Sequence, residues 1–170
     1  MILKSQPLVL RNLGMESGLS NLLVTDIEKD QKGFIWVATE AGLNCFDGRR
    51  FRTFLKSNSN LSGNALNALL FDKKENRLWV GSKTGLSIMD RTTMKFERIP
   101  ALDSLNISNI VSLSYSAAPD SNIWVADHYY DIVLCHRQSG KVVTHLSAAK
   151  LKFPSSFRCV LDNGKGQLYM

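Results

Sequence analysis

A large aromatic residue recurs along this chain at nearly constant spacing. Trp36, Trp79 and Trp124 lie 43 and 45 residues apart, and Tyr169 follows 45 residues later. Their contexts read FIWVAT, RLWVGS, NIWVAD and QLYM. A bulky residue in the same apolar setting every 44 residues or so is the mark of one small unit used repeatedly, each copy burying its faces against its neighbours. That constrains the fold more than any other feature of the sequence.

The flanks of the aromatic repeat too. Upstream stand Asp30-Gln31-Lys32-Gly33, Asp72 through Asn76, and Asp162-Asn163-Gly164-Lys165-Gly166. An Asp that opens a turn can accept hydrogen bonds from the turn backbone, and Gly or Asn at its end tolerates positive φ. Downstream, Thr39-Glu40-Ala41-Gly42-Leu43 matches Ser82-Lys83-Thr84-Gly85-Leu86. Short apolar runs such as Ile35-Trp36-Val37-Ala38, bounded by turn residues, read as strands covered on both faces.

Each unit therefore reads as four short strands. In unit one these are Leu23–Glu28, Phe34–Ala38, Leu43–Phe46 and Phe51–Leu55. In unit two they are Ala65–Phe71, Leu78–Gly81, Leu86–Met89 and Lys95–Ile99. In unit three they are Ile110–Tyr115, Ile123–Ala126, Ile132–His136 and Val142–Leu146. Unit four opens with Ser156–Leu161 and reaches Met170 inside its second strand. No segment of useful length has helical periodicity. A four-stranded unit of this period is a β-propeller blade. The expected fold is all-β, about three and a half blades of an incomplete ring. The expected blades are 18–55, 60–99 and 105–146, with a partial blade at 156–170. Residues 1–17 are expected to carry a lone strand, Pro7–Leu13, able to close a blade.

Composition narrows the function. Hydrophobic residues make up 44% and charged residues 21%, enough to bury a core. No apolar run is long enough to cross a bilayer as a helix, and Met1–Pro7 is too short to be a secretory leader. On these residues alone the chain is cytoplasmic, or its leader has been removed. The net charge of +6 is spread over turns rather than gathered into runs, and a scattered basic balance points to a solvated surface rather than a nucleic-acid groove. Cys45, Cys135 and Cys159 are an odd number without zinc spacing. All three fall in apolar stretches and are expected as buried thiols.

The residues quoted above carry a resemblance. Gly18-Leu19-Ser20-Asn21, then Asp30–Gly48 (DQKGFIWVATEAGLNCFDG), then Phe51 and Phe54 in an F-x-x-F strand, resemble the sensor propeller repeat of hybrid two-component regulators. The resemblance is specific in unit one and good in unit two. Unit three keeps the Trp strand but loses the Gly-Leu turn. It implies an extracytoplasmic, periplasmic sensor region belonging to an inner-membrane receptor, with glycan-derived oligosaccharides as ligands. It further implies that kinase chemistry would reside in domains absent from this chain, which would then have no catalysis or cofactor of its own.

Candidate binding residues stand where unit three departs from the repeat. Asp127, His128, Tyr129, Tyr130 and Asp131 replace the Gly-Leu turn with two aromatics, an imidazole and two carboxylates. Such groups bind sugars by ring stacking and planar hydrogen bonding; the alternative is a degenerate surface turn. The tryptophans, repeated at one blade position, are expected in the core. His128, His136 and His145 lack metal-ligand spacing, and no nucleophile elbow, H-E-x-x-H or phosphate loop is present. The inner strands offer only Asp26 and Glu28 as carboxylates, which argues against a propeller lyase or lactonase. A protein-interaction propeller scaffold is the other alternative. Open blade faces would be large apolar patches, so self-association into a homodimer is expected, two half-rings making one ring.

Overall fold

The computed structural model describes residues 10–117, 122–151, 159–165 and 167–170. Three four-stranded antiparallel sheets follow one another along the chain, each in simple up-and-down order. Blade 1 comprises β1 (Val24–Lys29), β2 (Ile35–Thr39), β3 (Gly42–Phe46) and β4 (Phe51–Phe54). Blade 2 comprises β5 (Leu66–Asp72), β6 (Arg77–Ser82), β7 (Gly85–Asp90) and β8 (Phe96–Arg98). Blade 3 comprises β9 (Ile110–Tyr115), β10 (Asn122–Asp127), β11 (Ile132–His136) and β12 (Val142–Leu146). A two-stranded piece, β13 (Leu161–Asp162) and β14 (Leu168–Tyr169), opens a fourth blade.

The strands lie where the repeat places them, shifted by a residue at several ends. Three expectations need correction. Residues 10–13 of the N-terminal segment form no strand, and a single 3-10 turn at Met15–Ser17 precedes blade 1; the rest of Pro7–Leu13 lies outside the described residues. Two short helices, α1 (Pro100–Ser104) and α2 (Ala148–Leu151), occupy segments that follow blades 2 and 3. Both are too short to show a 3.6-residue period, and α1 begins on a proline, which suits the first helical position. Cys159 is exposed, whereas Cys45 and Cys135 are buried. Of the first strand expected in unit four, residues 156–158 lie outside the described residues; the paired part begins at Leu161.

Three apolar clusters hold the blades together, one per interface. Trp36, Leu43 and Phe54 of blade 1 pack with Leu69, Phe71, Leu78 and Val80 of blade 2. Leu70, Trp79 and Ile88 of blade 2 pack with Ile110, Ile123, Val125 and Val133 of blade 3. Trp124, Ala126 and Ile132 pack with Val160 at the fourth blade. Successive residues of one strand point to opposite faces. Leu78 and Val80 therefore face blade 1 while Trp79 faces blade 3, which is why the strands read as unbroken apolar runs. At Gly81 the backbone of blade 2 lies close against blade 3. A Cβ there would sit 2.8 Å from Ile110 Cγ2, closer than packed carbons allow.

The face of blade 1 turned away from blade 2 is uncovered among the described residues. Val24 and Ile27 stand exposed along it. A shallow apolar depression of about 290 Å³ lies there, lined by residues including Leu19, Val24, Val37 and Phe51.

Candidate functional site

The loops joining the second and third strands of the three blades emerge at the same end of their sheets. In blades 1 and 2 the link is two residues, Glu40-Ala41 and Lys83-Thr84, closed by Gly42 and Gly85 at φ +129. Thr39 Oγ1 accepts the Ala41 N–H at 3.1 Å, and Ser82 Oγ accepts the Thr84 N–H at 3.2 Å. Glu40 N–H bonds to Leu23 O and Lys83 N–H to Ala65 O, pinning each loop to the start of its innermost strand. Lys83 reaches back across the blade boundary to Glu40, with Nζ 2.9 Å from Oε2.

Blade 3 uses the same frame with one more residue. Asp127 takes the place of Thr39 and Ser82 at the end of the second strand. Its Oδ1 accepts the N–H groups of Tyr129 (2.8 Å) and Asp131 (3.0 Å). His128 N–H bonds to Asn109 O, as Glu40 and Lys83 bond to their blades. A three-residue hairpin link ends on a residue in the left-handed region, and here that residue is Tyr130 at φ +72. Placing a tyrosine there costs about 1–2 kcal/mol; in blades 1 and 2 the positive φ falls instead on the glycine that opens the third strand.

The five candidate residues therefore divide. Asp127 is buried, at 1% exposure. It anchors the turn, and burial pushes its carboxyl above the ordinary value, partly offset by the N–H groups of Asp131, Tyr129 and Ser108. Its Oδ2 has no hydrogen-bond partner among the described residues. Asp131 Oδ1 accepts the Ala148 N–H at 2.9 Å and faces His145 Nε2 at 3.2 Å, so it holds α2 against the hairpin. His128 and Tyr129 are exposed at the tip, their rings edge-to-face at 5.6 Å. These two are the side chains the loop presents to solvent, with Tyr130 half-buried beside them. Asp26, one of the inner-strand carboxylates, is likewise structural: its Oδ2 accepts the Leu69 N–H at 2.7 Å across the boundary between blades 1 and 2. Burial, and the charge of Asp26, raise the carboxyl of Glu28. Among the described residues no cluster of His, Cys, Asp and Glu has the makings of a metal site.

Sequence reasoning missed the polar device that locks the blades. Asp30 opens the turn between β1 and β2, and its Oδ1 accepts the N–H groups of Lys32 (2.9 Å) and Phe34 (3.0 Å). Its Oδ2 accepts Trp36 Nε1 at 3.0 Å, and from blade 2 Arg91 Nε at 3.0 Å and Nη2 at 2.5 Å. The guanidinium also lies over the Trp36 ring, 4.6 Å from its centre. Burial opposes ionisation of Asp30, but the bonds from Trp36 and Arg91 and the charge of Arg91 outweigh it and hold the carboxyl below its ordinary value. Blade 2 repeats the cap and the ion pair toward blade 3, without the tryptophan bond: Asp72 caps its own turn through Lys74 N–H and Glu75 N–H and pairs with buried Arg137, while Trp79 Nε1 has no hydrogen-bond partner among the described residues. Asp162 caps the fourth turn and accepts Trp124 Nε1 at 3.1 Å and Ser116 Oγ at 2.9 Å from blade 3. The signal was in the sequence. Arg91 and Arg137 each follow the third strand, 12 and 13 residues after the tryptophan, where blade 1 has Gly48.

Residues 18–41 match the family of two component regulator propellers. The first blade carries a regulator-propeller repeat. The matched stretch holds the Asp30–Trp36 clasp and the Thr39 turn anchor; blade 2 copies the turn anchor with Ser82 and the turn-capping aspartate with Asp72. No curated protein matches the chain. Among solved structures, the extracellular domain of the hybrid two-component system BT3049 from B. thetaiotaomicron is 31% identical, with a TM-score of 0.81 over 94% of this chain and 23% of that one. The chain thus spans about a quarter of that relative. The extracellular domain of the BT4673 system from the same organism, at 16% identity and TM-score 0.66, covers 86% of this chain and 18% of its own. The WD40 propeller of Doa1, at 12% and 0.62, covers 85% of this chain and 46% of its own. The last two show the shared propeller fold alone.

Proposed function

We propose that this chain is part of the extracytoplasmic sensor region of a hybrid two-component receptor, lying in the periplasm. The observation that carries the reading is the 31% identity, over 94% of the chain, to the extracellular domain of such a system. The regulator-propeller repeat at residues 18–41 supports it independently. In this reading the propeller performs no bond chemistry. It binds a ligand on its surface and passes the change in occupancy through its blade interfaces to modules elsewhere in the receptor.

The ligand is an oligosaccharide, and the His128–Tyr129 tip is its contact. Tyr129 is 60% exposed at the tip of the hairpin. An exposed ring supplies a stacking platform with a polar end at little entropic cost. Asp127 and Asp131 spend their carboxylates on the loop itself, which preorganises the tip. Calorimetry with a panel of neutral oligosaccharides tests the assignment. Binding lost on Tyr129→Ala, with the melting temperature kept, is the expected result. Binding indifferent to Tyr129→Ala and His128→Ala would remove the tip from the function.

A further inference from the structure

A groove runs between blades 1 and 2 on the side of their outer strands, well apart from the His128–Tyr129 tip. It has two compartments of about 500 and 350 Å³ that share Arg52 and Met94 in their walls. Its wall includes the edge-to-face pair Phe54 and Phe96, one ring from each blade, 5.7 Å apart. The Arg52 guanidinium lies over the Phe54 ring, its Cζ 4.8 Å from the ring centre. A guanidinium held this way keeps its N–H edge free to meet an anion and has already lost most of its rotational freedom.

Charge around the groove is one-sided. Arg52 and Lys95 line the larger compartment with no carboxylate beside them. Lys32, Arg50 and Arg52 line the smaller one, where Arg91 is already neutralised by Asp30. The single carboxylate in that wall, Asp47, accepts the backbone N–H groups of Arg49 and Arg50 and stands 3.8 Å from Arg50 Nε. Lys32, Arg52 and Lys95 make no ion pair and no side-chain hydrogen bond among the described residues. Cations brought together around one concavity without counter-charges raise the local concentration of anions. Asn60 and Thr53 add neutral polar groups to the larger compartment, and Met94 adds an apolar wall.

We propose that this inter-blade groove is a binding site for a carboxylate- or sulfate-bearing saccharide, its acidic groups taken by Arg52 and Lys95 and its ring lying along Met94. The saccharide class rests on the function proposed above; the demand for negative charge rests on the groove alone. Because the walls come from two blades, occupancy bears directly on the interface clasped by Asp30 and Arg91.

The test is calorimetry on the purified chain with an oligogalacturonate and a neutral galacto-oligosaccharide of the same length, at low and high salt. The groove variant is Arg52→Met/Lys95→Met. Arg49→Met/Lys56→Met removes the same charge from exposed positions outside the groove, and thermal melts show that each variant is folded. The expected result is preference for the acidic chain, weakened by salt, with affinity about tenfold or more lower in the groove variant and nearly unchanged in the control. Equal affinity for the neutral chain, or equal loss in both variants, overturns the proposal. So does an absence of acidic-chain binding. Neutral-chain binding that depends on Tyr129 alone would leave the proposed function standing while the groove falls. Acidic-chain binding that depends on Arg52 and ignores Tyr129 would do the reverse for the tip.

Discussion

Asp30→Asn is the sharpest probe of how these blades are held. The substitution keeps the size of the side chain and removes its charge. The amide oxygen can still take the Lys32 and Phe34 N–H groups, but an amide nitrogen then faces Trp36 Nε1 and two nitrogens of Arg91. Three donors lose their acceptor, and a guanidinium whose side chain is only 6% exposed loses its counter-charge. Leaving one member of a buried pair uncompensated costs about 3–5 kcal/mol. For a chain of this size that lowers the melting temperature by roughly 6–20 °C. The exposed Lys83–Glu40 pair bridges the same two blades at 2.9 Å, with side chains 51% and 35% exposed. Lys83→Met should cost no more than about 1 kcal/mol. Thermal denaturation of the two variants, with Asp30→Asn/Arg91→Met as a third, checks the reasoning. The double variant should recover part of the loss, because it leaves no charge stranded. An Asp30→Asn melt as mild as that of Lys83→Met would refute the claim that the clasp is a buried, desolvated pair.

The folded-state carboxyl of Asp30 lies below its ordinary value of 3.8, so its contribution to stability is full above that value and is lost as pH falls through the lower folded-state one; acid melts should show wild type losing this increment while Asp30→Asn does not. Asp127→Ser should be tolerated within about 1 kcal/mol, since Ser82 anchors the equivalent turn, whereas Asp127→Ala strands the Tyr129 and Asp131 N–H groups and should cost about 1–3 kcal/mol in chemical denaturation. Cys159 should react first with an alkylating agent, because it is exposed while burial pushes the Cys45 and Cys135 thiols to about 11 and 12; mass spectrometry of partly labelled protein reads the order. The exposed Val24 and Ile27 on the open side of blade 1 should drive the purified chain to self-associate. Light scattering should show a dimer that Ile27→Asp disperses, and a monomer at micromolar concentration would count against it.

The blades were legible in the sequence because their causes are local. A strand of alternating faces, an Asp that caps its own turn and a glycine at φ +129 each act over a few residues. Their recurrence every 44 residues or so then multiplies a weak signal. Ile110–Tyr115, Ile132–His136 and Val142–Leu146 form where the pattern puts them. What local pattern does not contain is the partner across a blade boundary. Asp30 and Arg91 are 61 residues apart, and Asp72 and Arg137 are 65. Only stacking one blade on the next turns a turn-capping aspartate into half of a buried ion pair. The same holds for the candidate site. The sequence singled out residues 127–131 as a departure from the repeat, but tertiary structure decided that Asp127 turns inward as the counterpart of Thr39 and Ser82. That leaves His128 and Tyr129 facing solvent. The groove between blades 1 and 2 had no signature at all, since Arg52 and Lys95 become neighbours only through the packing of Phe54 on Phe96. The repeated tryptophan by itself determined that the chain is made of blades. The contacts between blades, which need the whole stack before any of them exists, decided what locks the blades together and which side chains are left for a ligand.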